Sequence, residues 1–272
     1  MQWATKGKSV SELWRKQLGQ YDGLIMRCAP GTHEAAMAML LRHLAERPPA
    51  LDLASGSGAF LARLRDNGFT DLDAVEIDRK AFAFPGIDPR HLDLNGRFAS
   101  QIDRRYGLVT ALEIMEHLDS PRHFLREVRE LLEPAGHLLL STPNTANWTG
   151  RLRFFLSGEH RQFQEHDYHY QRHISPTTDL QLRLMLREIG FELRDWTVAG
   201  SFFGPLKKAV LAPVIGAARL FWGKMAMDDV RVYLVRRAEA DASSPGASSF
   251  YFAKRAASNE KESTDATHAD VG

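Results

Sequence analysis

Residues 51–58 read LDLASGSG, and this stretch decides the fold. It is a short apolar run that ends in alternating small residues, and apolar residues at helical spacing follow it over 60–64. The pattern predicts a buried strand, a tight bend and a helix. Glycines in such a bend let the backbone approach a ligand closely, and the first turn of the helix offers free N–H groups. The stretch therefore indicates a nucleotide-binding bend, with a simple tight loop as the alternative.

Two classes of cofactor use a bend of this kind. Dinucleotide folds need a third small residue, in the pattern GxGxxG/A, so that the helix packs closely on the strand. In this chain Gly56 and Gly58 are followed by Phe60 and Leu61, so a bulky side chain fills the third position. The sequence therefore argues against a dinucleotide cofactor.

Outward from the bend, predicted strands alternate with predicted helices. The apolar runs that read as further buried strands lie at 73–77, 108–112 and 137–141. Residues 124–132 read as an amphipathic helix, and a closing strand pair follows at 191–198 and 230–235. Strand–helix alternation implies a parallel sheet with right-handed crossovers, so we expect an α/β fold.

The pattern along the chain also predicts three regions. Residues 1–48 read as an N-terminal helical cap. Residues 49–237 read as the main domain, with insertions at about 145–175 and 199–228. Residues 238–272 are rich in Ala, Ser, Asp and Glu and nearly lack aliphatic side chains, which predicts a disordered tail.

The bend resembles the glycine motif of S-adenosylmethionine-dependent methyltransferases, in which an acidic residue precedes alternating glycines. Ala54 stands where that family usually has its first glycine, and Ser55 stands where Cys is common. The resemblance implies a methyltransferase domain whose bend cradles the amino-acid end of the cofactor. It also implies a Rossmann-like, doubly wound, mostly parallel seven-stranded sheet with helices on both faces. The bend residues expected to contact the cofactor are Asp52, Ala54, Ser55, Gly56 and Gly58.

An acidic residue at the end of the second predicted strand strengthens the resemblance. Glu76 lies 24 residues after Asp52. A carboxylate at this place accepts hydrogen bonds from both ribose hydroxyls, as the acid about 20 residues after the bend does in dinucleotide folds. Asp78 competes for the role, but the family's hydrophobic–acid–hydrophobic pattern favours Glu76.

Further cofactor contacts follow from the resemblance. In this family an Asp after the next strand usually faces the adenine amino group, and the next backbone N–H meets a ring nitrogen. The positions that match are Asp93 and Leu94. The alternative is a simple turn, which the sequence Asp-Leu-Asn-Gly also favours. Leu112, at the end of the strand at 108–112, is expected to contact the cofactor as well.

The string Glu113-Ile-Met-Glu116-His117 follows that strand. It resembles the ubiquinone-biosynthesis O-methyltransferases and, more distantly, the small-RNA 2′-O-methyltransferases, with the similarity spanning about residues 51–191. In members of both groups the two glutamates and the histidine bind a divalent cation, usually Mg²⁺. Such ligands suit a hard or borderline ion and leave positions for substrate oxygens. The resemblance implies a metal site at Glu113, Glu116 and His117; alternatively, Glu116 and His117 only cap the helix and line the pocket.

Downstream histidines offer a fourth ligand or a general base. The candidates are His160, His166, His169 and His173. His173 precedes Thr178 by five residues, as a metal-binding histidine precedes a Thr in the RNA-modifying relatives. A hydroxyl acceptor needs a base or a metal to lose its proton, whereas an amine does not. His117 is the first candidate for base or ligand, and His173 is the second.

Composition bears on partners and compartment. Lys and Arg number 35 against 34 Asp and Glu, so the net charge of +1 gives no global attraction to nucleic acid. Cys28 is the only cysteine and cannot form an internal disulfide, which makes the cytoplasm the expected compartment. The apolar stretch at 209–218 is too short to span a bilayer. We expect a substrate lid or packed helix there, with peripheral membrane contact through 205–225 as the alternative.

Three functions remain open at this point. The first is O-methylation of a small-molecule or lipid- or sugar-linked substrate, with S-adenosyl-L-methionine as methyl donor and Mg²⁺ at the glutamates. The second is RNA 2′-O-methylation, which calls for aromatic residues among basic ones, as at 154–170, but which the near-neutral charge disfavours. The third is a non-catalytic domain that binds S-adenosylmethionine. Intact Glu76 and Asp93 argue against the third.

Overall fold

A computed structural model describes residues 19–202 and 204–239, and a six-stranded sheet lies at its centre. The strands are β1 (Gln20–Tyr21), β2 (Leu24–Ile25), β3 (Ala50–Leu53), β4 (Leu72–Val75), β5 (Tyr106–Leu112), β6 (Leu132–Pro143), β7 (Phe191–Ala199) and β8 (Val230–Arg237). The helices are α1 (Thr32–His43), α2 (Ala59–Asp66), α3 (Pro121–Leu131), α4 (Trp148–Ser157), α5 (Glu165–Gln171), α6 (Asp179–Ile189), α7 (Pro205–Val210) and α8 (Ala212–Trp222).

The central sheet has the strand order β4-β3-β5-β6-β8-β7. Strands β4, β3, β5 and β6 are parallel, whereas β8 runs antiparallel to both β6 and β7. From β3 the chain goes to β4 on one side and then to β5 on the other. Ligands of open α/β sheets bind at the carboxyl ends of strands where the strand order reverses in this way. The expected doubly wound, mostly parallel fold is confirmed.

The expected seventh strand is reduced to a single bridge in the described part of the chain. Val75 pairs in parallel with Arg90, whose N–H donates to the Ala74 carbonyl at 2.9 Å. The Arg90 carbonyl accepts from the N–H of Glu76 at 3.0 Å. Pro89, one residue earlier, has no N–H and cannot extend the ladder. The prediction of seven strands is therefore wrong by one.

Alternate residues of the strands face two separate cores. Within β3, Ala50 belongs to the core that also holds α1 and α2, and Leu51 and Leu53 belong to the core that holds α3 and α6. The same alternation holds in β6, where Leu139 faces the first core and its neighbours face the second. Helices thus cover both faces of the sheet, as expected.

The N-terminal region is only partly helical where it is described. Strands β1 and β2 form a hairpin whose turn is Asp22-Gly23, with φ of +52° and +75°. Two positive φ values define the hairpin turn that Asp-Gly favours, so this sequence carried a signal that the helical prediction for 1–48 missed. The part of the predicted helical cap before residue 19 lies outside the described residues. Within the described part, α1 is helical.

The first predicted insertion precedes β7, and the second lies between β7 and β8. Helices α4 and α5 lie within 145–175, and α7 and α8 lie within 199–228. No helix in the described ranges is both long and apolar enough to cross a membrane. The predicted disordered tail lies, from residue 240 onward, outside the described residues.

Candidate active site

The bend between β3 and α2 has the left-handed backbone that its glycines allow. Ala54, Gly56 and Gly58 all have positive φ, at +56°, +56° and +86°. Ala54 and Gly56 are half-buried, whereas Gly58 is buried beneath Phe84. The accessible part of the bend therefore runs from Ala54 to Gly56 at the carboxyl end of β3, and the Gly58 end is closed by packing.

Glu76 faces this bend. Its carboxylate accepts from the N–H of Gly56 at 2.6 Å and from the N–H of Asp78 at 2.8 Å. Glu76 is buried, at 6% exposure, while the Asp78 side chain is exposed. Of the two acids weighed from sequence, Glu76 is thus the one joined to the bend.

Asp52 lies below the bend within the sheet. Its side chain accepts a hydrogen bond from the hydroxyl of Thr110 on β5, and its backbone carbonyl accepts from the Ser55 hydroxyl at 2.8 Å. Burial raises the pKa of the Asp52 carboxyl to about 7. Asp52, which was expected to contact the cofactor, thus accepts a hydrogen bond that holds the Ser55 side chain in place.

The remaining predicted cofactor residues surround the same edge. Asp93 is exposed, and its carboxylate accepts from the N–H of Asn95 at 2.9 Å in a local turn. Leu94 is buried in the second core, and Leu112 is half-buried at the end of β5. The turn alternative for Asp93 is present in the structure, and it leaves the carboxylate accessible.

One cluster of metal-type ligands occurs among the described residues. Ligand atoms of Glu116, His117 and His173 all lie within 4.8 Å of one another. Glu116 and His117 belong to a short 3₁₀ turn just after β5, and the Glu116 carbonyl accepts from the N–H groups of Ile174 and Ser175. That backbone link brings the distant His173 to the turn. The ring centroids of His117 and His173 are 4.8 Å apart.

Burial sets the charge of this cluster. It lowers the pKa of His117 to about 4 and also lowers the pKa of His173, so both rings are neutral at pH 7. Burial raises the pKa of Glu116 well above its usual value, and the nearby Glu113 carboxylate raises it further. The positive charge of the fully buried Arg231 lowers the pKa of both Glu116 and Glu113 and so opposes the effect of burial. Two neutral imidazoles, with a carboxyl group that gives up its proton on binding, are a ligand set for a divalent cation.

Glu113 stands outside this cluster. It has a left-handed backbone, with φ of +53°, and its carboxylate accepts from the Ser141 hydroxyl of β6 at 2.8 Å. Burial raises the pKa of Glu113 to about 7. A strained non-glycine residue at a strand end is a frequent feature of functional sites. The structure thus joins two of the three predicted metal ligands and adds His173 in place of the third.

The other candidate histidines are engaged elsewhere. His160 stacks on Phe154 with a centroid distance of 4.7 Å. His166 contacts the Asp167 carboxylate at 2.9 Å, and His169 is largely exposed. Of the four histidines weighed as an added ligand, His173 is the one in the cluster.

Two buried charged residues near the site carried no signal in the sequence. Arg231 donates to the carbonyls of Pro143 and Thr177, and its side chain is the largest fully buried one within 19–202 and 204–239. Asp229, at 2% exposure, accepts from Asn147 and pairs with Arg161. Both lie on the closing strand β8 or just before it, far in sequence from their partners.

Comparisons with known proteins agree with this fold. A family model described as a methyltransferase domain matches residues 14–195, more than half of the chain. The ubiquinone biosynthesis O-methyltransferase of Acinetobacter baylyi is 26% identical over 145 residues, which cover 53% of this chain and 58% of that protein. The chain therefore spans less than two thirds of the length of that relative.

Solved structures give the same result for the fold. A chain from the complex of the Haloferax volcanii Trm112 methyltransferase activator with its methyltransferase has a TM-score of 0.54 at 14% identity and covers 76% of this chain and 91% of its own length. A Bacillus halodurans structure described as a methyltransferase has a TM-score of 0.53 at 16% identity, and the match covers 76% of this chain and 99% of that one. Together with the extent of the family match, these findings lead to one conclusion: the chain belongs to the methyltransferase domain family.

Proposed function

We propose that this chain transfers a methyl group from S-adenosylmethionine to a hydroxyl oxygen of a small molecule. The observation that carries the proposal is the cluster of Glu116, His117 and His173. Its 3₁₀ turn follows the carboxyl end of β5, the parallel neighbour of the strand β3 that ends in the bend. S-adenosylmethionine supplies an electrophilic methyl group when it is bound. We assign the chemistry to residues 49–237, with the insertions covering the acceptor side.

The bend and Glu76 fit the two ends of such a cofactor. The accessible backbone at Ala54 and Gly56 accommodates an amino-acid group closely, because neither residue projects a large side chain. The Glu76 carboxylate, already aimed at the bend, suits the ribose hydroxyls as a charge-assisted acceptor. Asp93 keeps an accessible carboxylate for the adenine amino group.

A divalent cation such as Mg²⁺ fits the cluster. One carboxylate oxygen of Glu116 is buried without a hydrogen-bond partner, which is costly unless something binds it. Two neutral imidazoles lie beside it. Glu116, His117 and His173 would hold the ion, with Glu113 near enough to influence their charge. A bound cation lowers the pKa of a coordinated hydroxyl and orients it.

The histidines supply a second route for the acceptor proton. A neutral imidazole in a buried site takes a proton from a hydroxyl that is held within hydrogen-bond distance. His117 is half-buried in the 3₁₀ turn, and His173 is fixed by its Nδ1 atom, which lies 2.7 Å from the Gln162 carbonyl. His117 is therefore the base if no ion is bound, and both are ligands if one is.

The experiment is a methyl-transfer assay with labelled S-adenosylmethionine and three acceptor classes: catechols, primary amines and short RNAs. We expect label on catechol oxygen, stimulated by Mg²⁺ and reduced at least tenfold in Glu116→Gln. Glu130→Gln, an exposed substitution on α3, is the matched control and should leave the rate unchanged. Label only on amines or RNA, or a Glu116→Gln enzyme at full rate in a chelator, would refute the proposal.

We also propose that the second insertion contacts a membrane surface. Large side chains of α7 and α8 are exposed, including Leu206 at 79%, Leu220 at 82% and Phe221 at 79%. Helix α4 adds Phe155 at 85%, and it adjoins α8 because the Arg151 guanidinium lies 5.5 Å from the centre of the Trp222 ring. Several exposed large apolar side chains on neighbouring helices suit insertion into a lipid surface, and exposed basic residues on or next to the same helices suit anionic lipid: Lys207, Arg219 and Lys224.

Flotation with vesicles tests this contact. Full-length protein should float with vesicles rich in phosphatidylglycerol, and the Leu220→Ser/Phe221→Ser variant should not. Leu41→Ser, an exposed leucine on α1, is the matched control. Equal flotation of both variants would remove the membrane contact and leave the methyl-transfer proposal untouched. With Cys28 as its only cysteine, a cytoplasmic location completes the proposal.

A further inference from the structure

Asp229 is a buried carboxylate on which both insertions converge. It lies just before β8 and is 2% exposed. Its carboxylate accepts from the side-chain amide of Asn147 at 3.0 Å and from the N–H of Phe202 at 2.9 Å. It also forms an ion pair with Arg161. Asn147 and Arg161 belong to the first insertion, and Phe202 belongs to the second.

The segment 161–163 connects Asp229 to His173. The Gln162 side-chain amide donates to the Asp229 carbonyl at 3.0 Å, while the Gln162 carbonyl lies 2.7 Å from Nδ1 of His173. Phe163 packs against the His173 ring, with centroids 5.5 Å apart. Three consecutive residues therefore either bind Asp229 or contact His173.

This contact decides the protonation of the His173 ring. A carbonyl oxygen only accepts hydrogen bonds, so Nδ1 of His173 must carry the hydrogen in the bond to Gln162. In a neutral ring the lone pair is then on Nε2. A second hydrogen bond that fixes the tautomer in this way is typical of histidines that bind metals or act as bases.

Gln162 needs support to hold its carbonyl in this place. Its backbone is left-handed, with φ of +70°, a conformation that costs a non-glycine residue free energy and persists only when the surroundings impose it. The described contacts that impose it are the Arg161 ion pair on one side and the amide bond to the Asp229 carbonyl on the other.

We propose that Asp229 and Arg161 form a positioning pair that holds Gln162 so that His173 presents the lone pair of Nε2 to Glu116 and His117. The pair touches neither cofactor nor acceptor, and it acts through Gln162. The inference rests on the role proposed above for His173, but its test does not require methyl transfer.

The test is ¹⁵N spectroscopy of the His173 ring in metal-free protein at pH 8, where burial keeps that ring neutral. Wild-type His173 should show one protonated nitrogen, Nδ1, and one unprotonated nitrogen, Nε2. In Arg161→Met the ¹⁵N chemical shifts of Nδ1 and Nε2 of His173 should move toward each other, because the two tautomers then mix. Arg161→Lys should restore much of the wild-type spectrum. Arg153→Met is the matched control, because Arg153 pairs with Glu159 on the same insertion in an exposed ion pair.

Mn²⁺ titration by calorimetry gives a second readout. Loss of an outer hydrogen-bond partner typically weakens metal binding about 10- to 100-fold, so Arg161→Met should fall in that range and Arg153→Met should match wild type. If Arg161→Met does not fold, Gln162→Met replaces it, since that variant removes the amide bond to Asp229 and leaves the ion pair intact. A folded variant with the wild-type His173 spectrum and unchanged Mn²⁺ affinity would overturn the inference.

Failure of this inference is distinguishable from failure of the proposed function. If wild-type protein transfers no methyl group but His173 still loses its single tautomer in Arg161→Met, the positioning pair stands and the chemistry is wrong. If methyl transfer proceeds and the tautomer does not respond to Arg161→Met, the chemistry stands and the positioning pair is overturned.

Discussion

Gly58→Ala should destabilise the protein more than a glycine substitution at an equally strained position elsewhere. A Cβ atom added at Gly58 would lie 2.3 Å from the Phe84 Cβ atom, far inside normal contact, and Phe84 is buried. Gly58 also has φ of +86°. The substitution therefore combines backbone strain with overpacking at the closed end of the bend.

The matched control is Gly86→Ala. Gly86 has φ of +85°, but no atom lies within 4 Å of its added Cβ. Both substitutions carry the left-handed strain of an L-residue, about 1–2 kcal/mol, partly offset by the lower entropy of the unfolded chain. Overpacking adds about 1–3 kcal/mol at Gly58 alone. The free energy of unfolding should thus fall by about 1–3 kcal/mol more for Gly58→Ala than for Gly86→Ala.

Urea denaturation followed by circular dichroism measures the free energy of unfolding of each variant and of the wild type. In the Gly58→Ala/Phe84→Gly double variant the two substitutions should cost less together than the sum of their separate effects, since the Phe84 Cβ atom that causes the clash is then gone. Equal destabilisation by Gly58→Ala and Gly86→Ala would refute the packing of Phe84 over the bend. So would strict additivity in the double variant.

Two further predictions concern the rest of the fold. Burial lowers the pKa of His33 to about 3, so the folded state resists protonating a ring that the unfolded state protonates near pH 6.5. Its contribution to stability is complete above pH 6.5 and is lost as the pH falls toward 3, by as much as about 4 kcal/mol, and His33→Phe should flatten this dependence in denaturation curves from pH 7 to 4. Thr178→Ala removes the N-cap acceptor for the Gln181 N–H of α6 and should lower the free energy of unfolding by about 1 kcal/mol, measured in the same way.

The bend and its acid were predictable because their signals are local. A strand, small residues and a helix within 51–64 indicate a bend wherever they occur, and Glu76 follows at the end of the next strand. The Asp-Gly hairpin was also local, and only the helical interpretation of 1–48 hid it.

The ligand cluster was only half predictable. Glu116 and His117 are neighbours in sequence, but His173 reaches them through backbone bonds from Ile174 and Ser175 to the Glu116 carbonyl. No periodicity records such a long-range bond, so the sequence left four histidines open. Asp229 and Arg231 were missed altogether, since a charged residue at a strand reads as exposed until its partners are known.

The most direct test of the account is calorimetric binding of S-adenosylhomocysteine to wild type, Glu76→Ala and Asp78→Ala. We predict one site in wild type, at least about tenfold weaker binding in Glu76→Ala, since each hydrogen bond to a charged group contributes about 1.5–3 kcal/mol, and nearly unchanged binding in Asp78→Ala. Absence of binding to wild type at millimolar ligand, or loss of binding in Asp78→Ala with Glu76→Ala unaffected, would contradict the account.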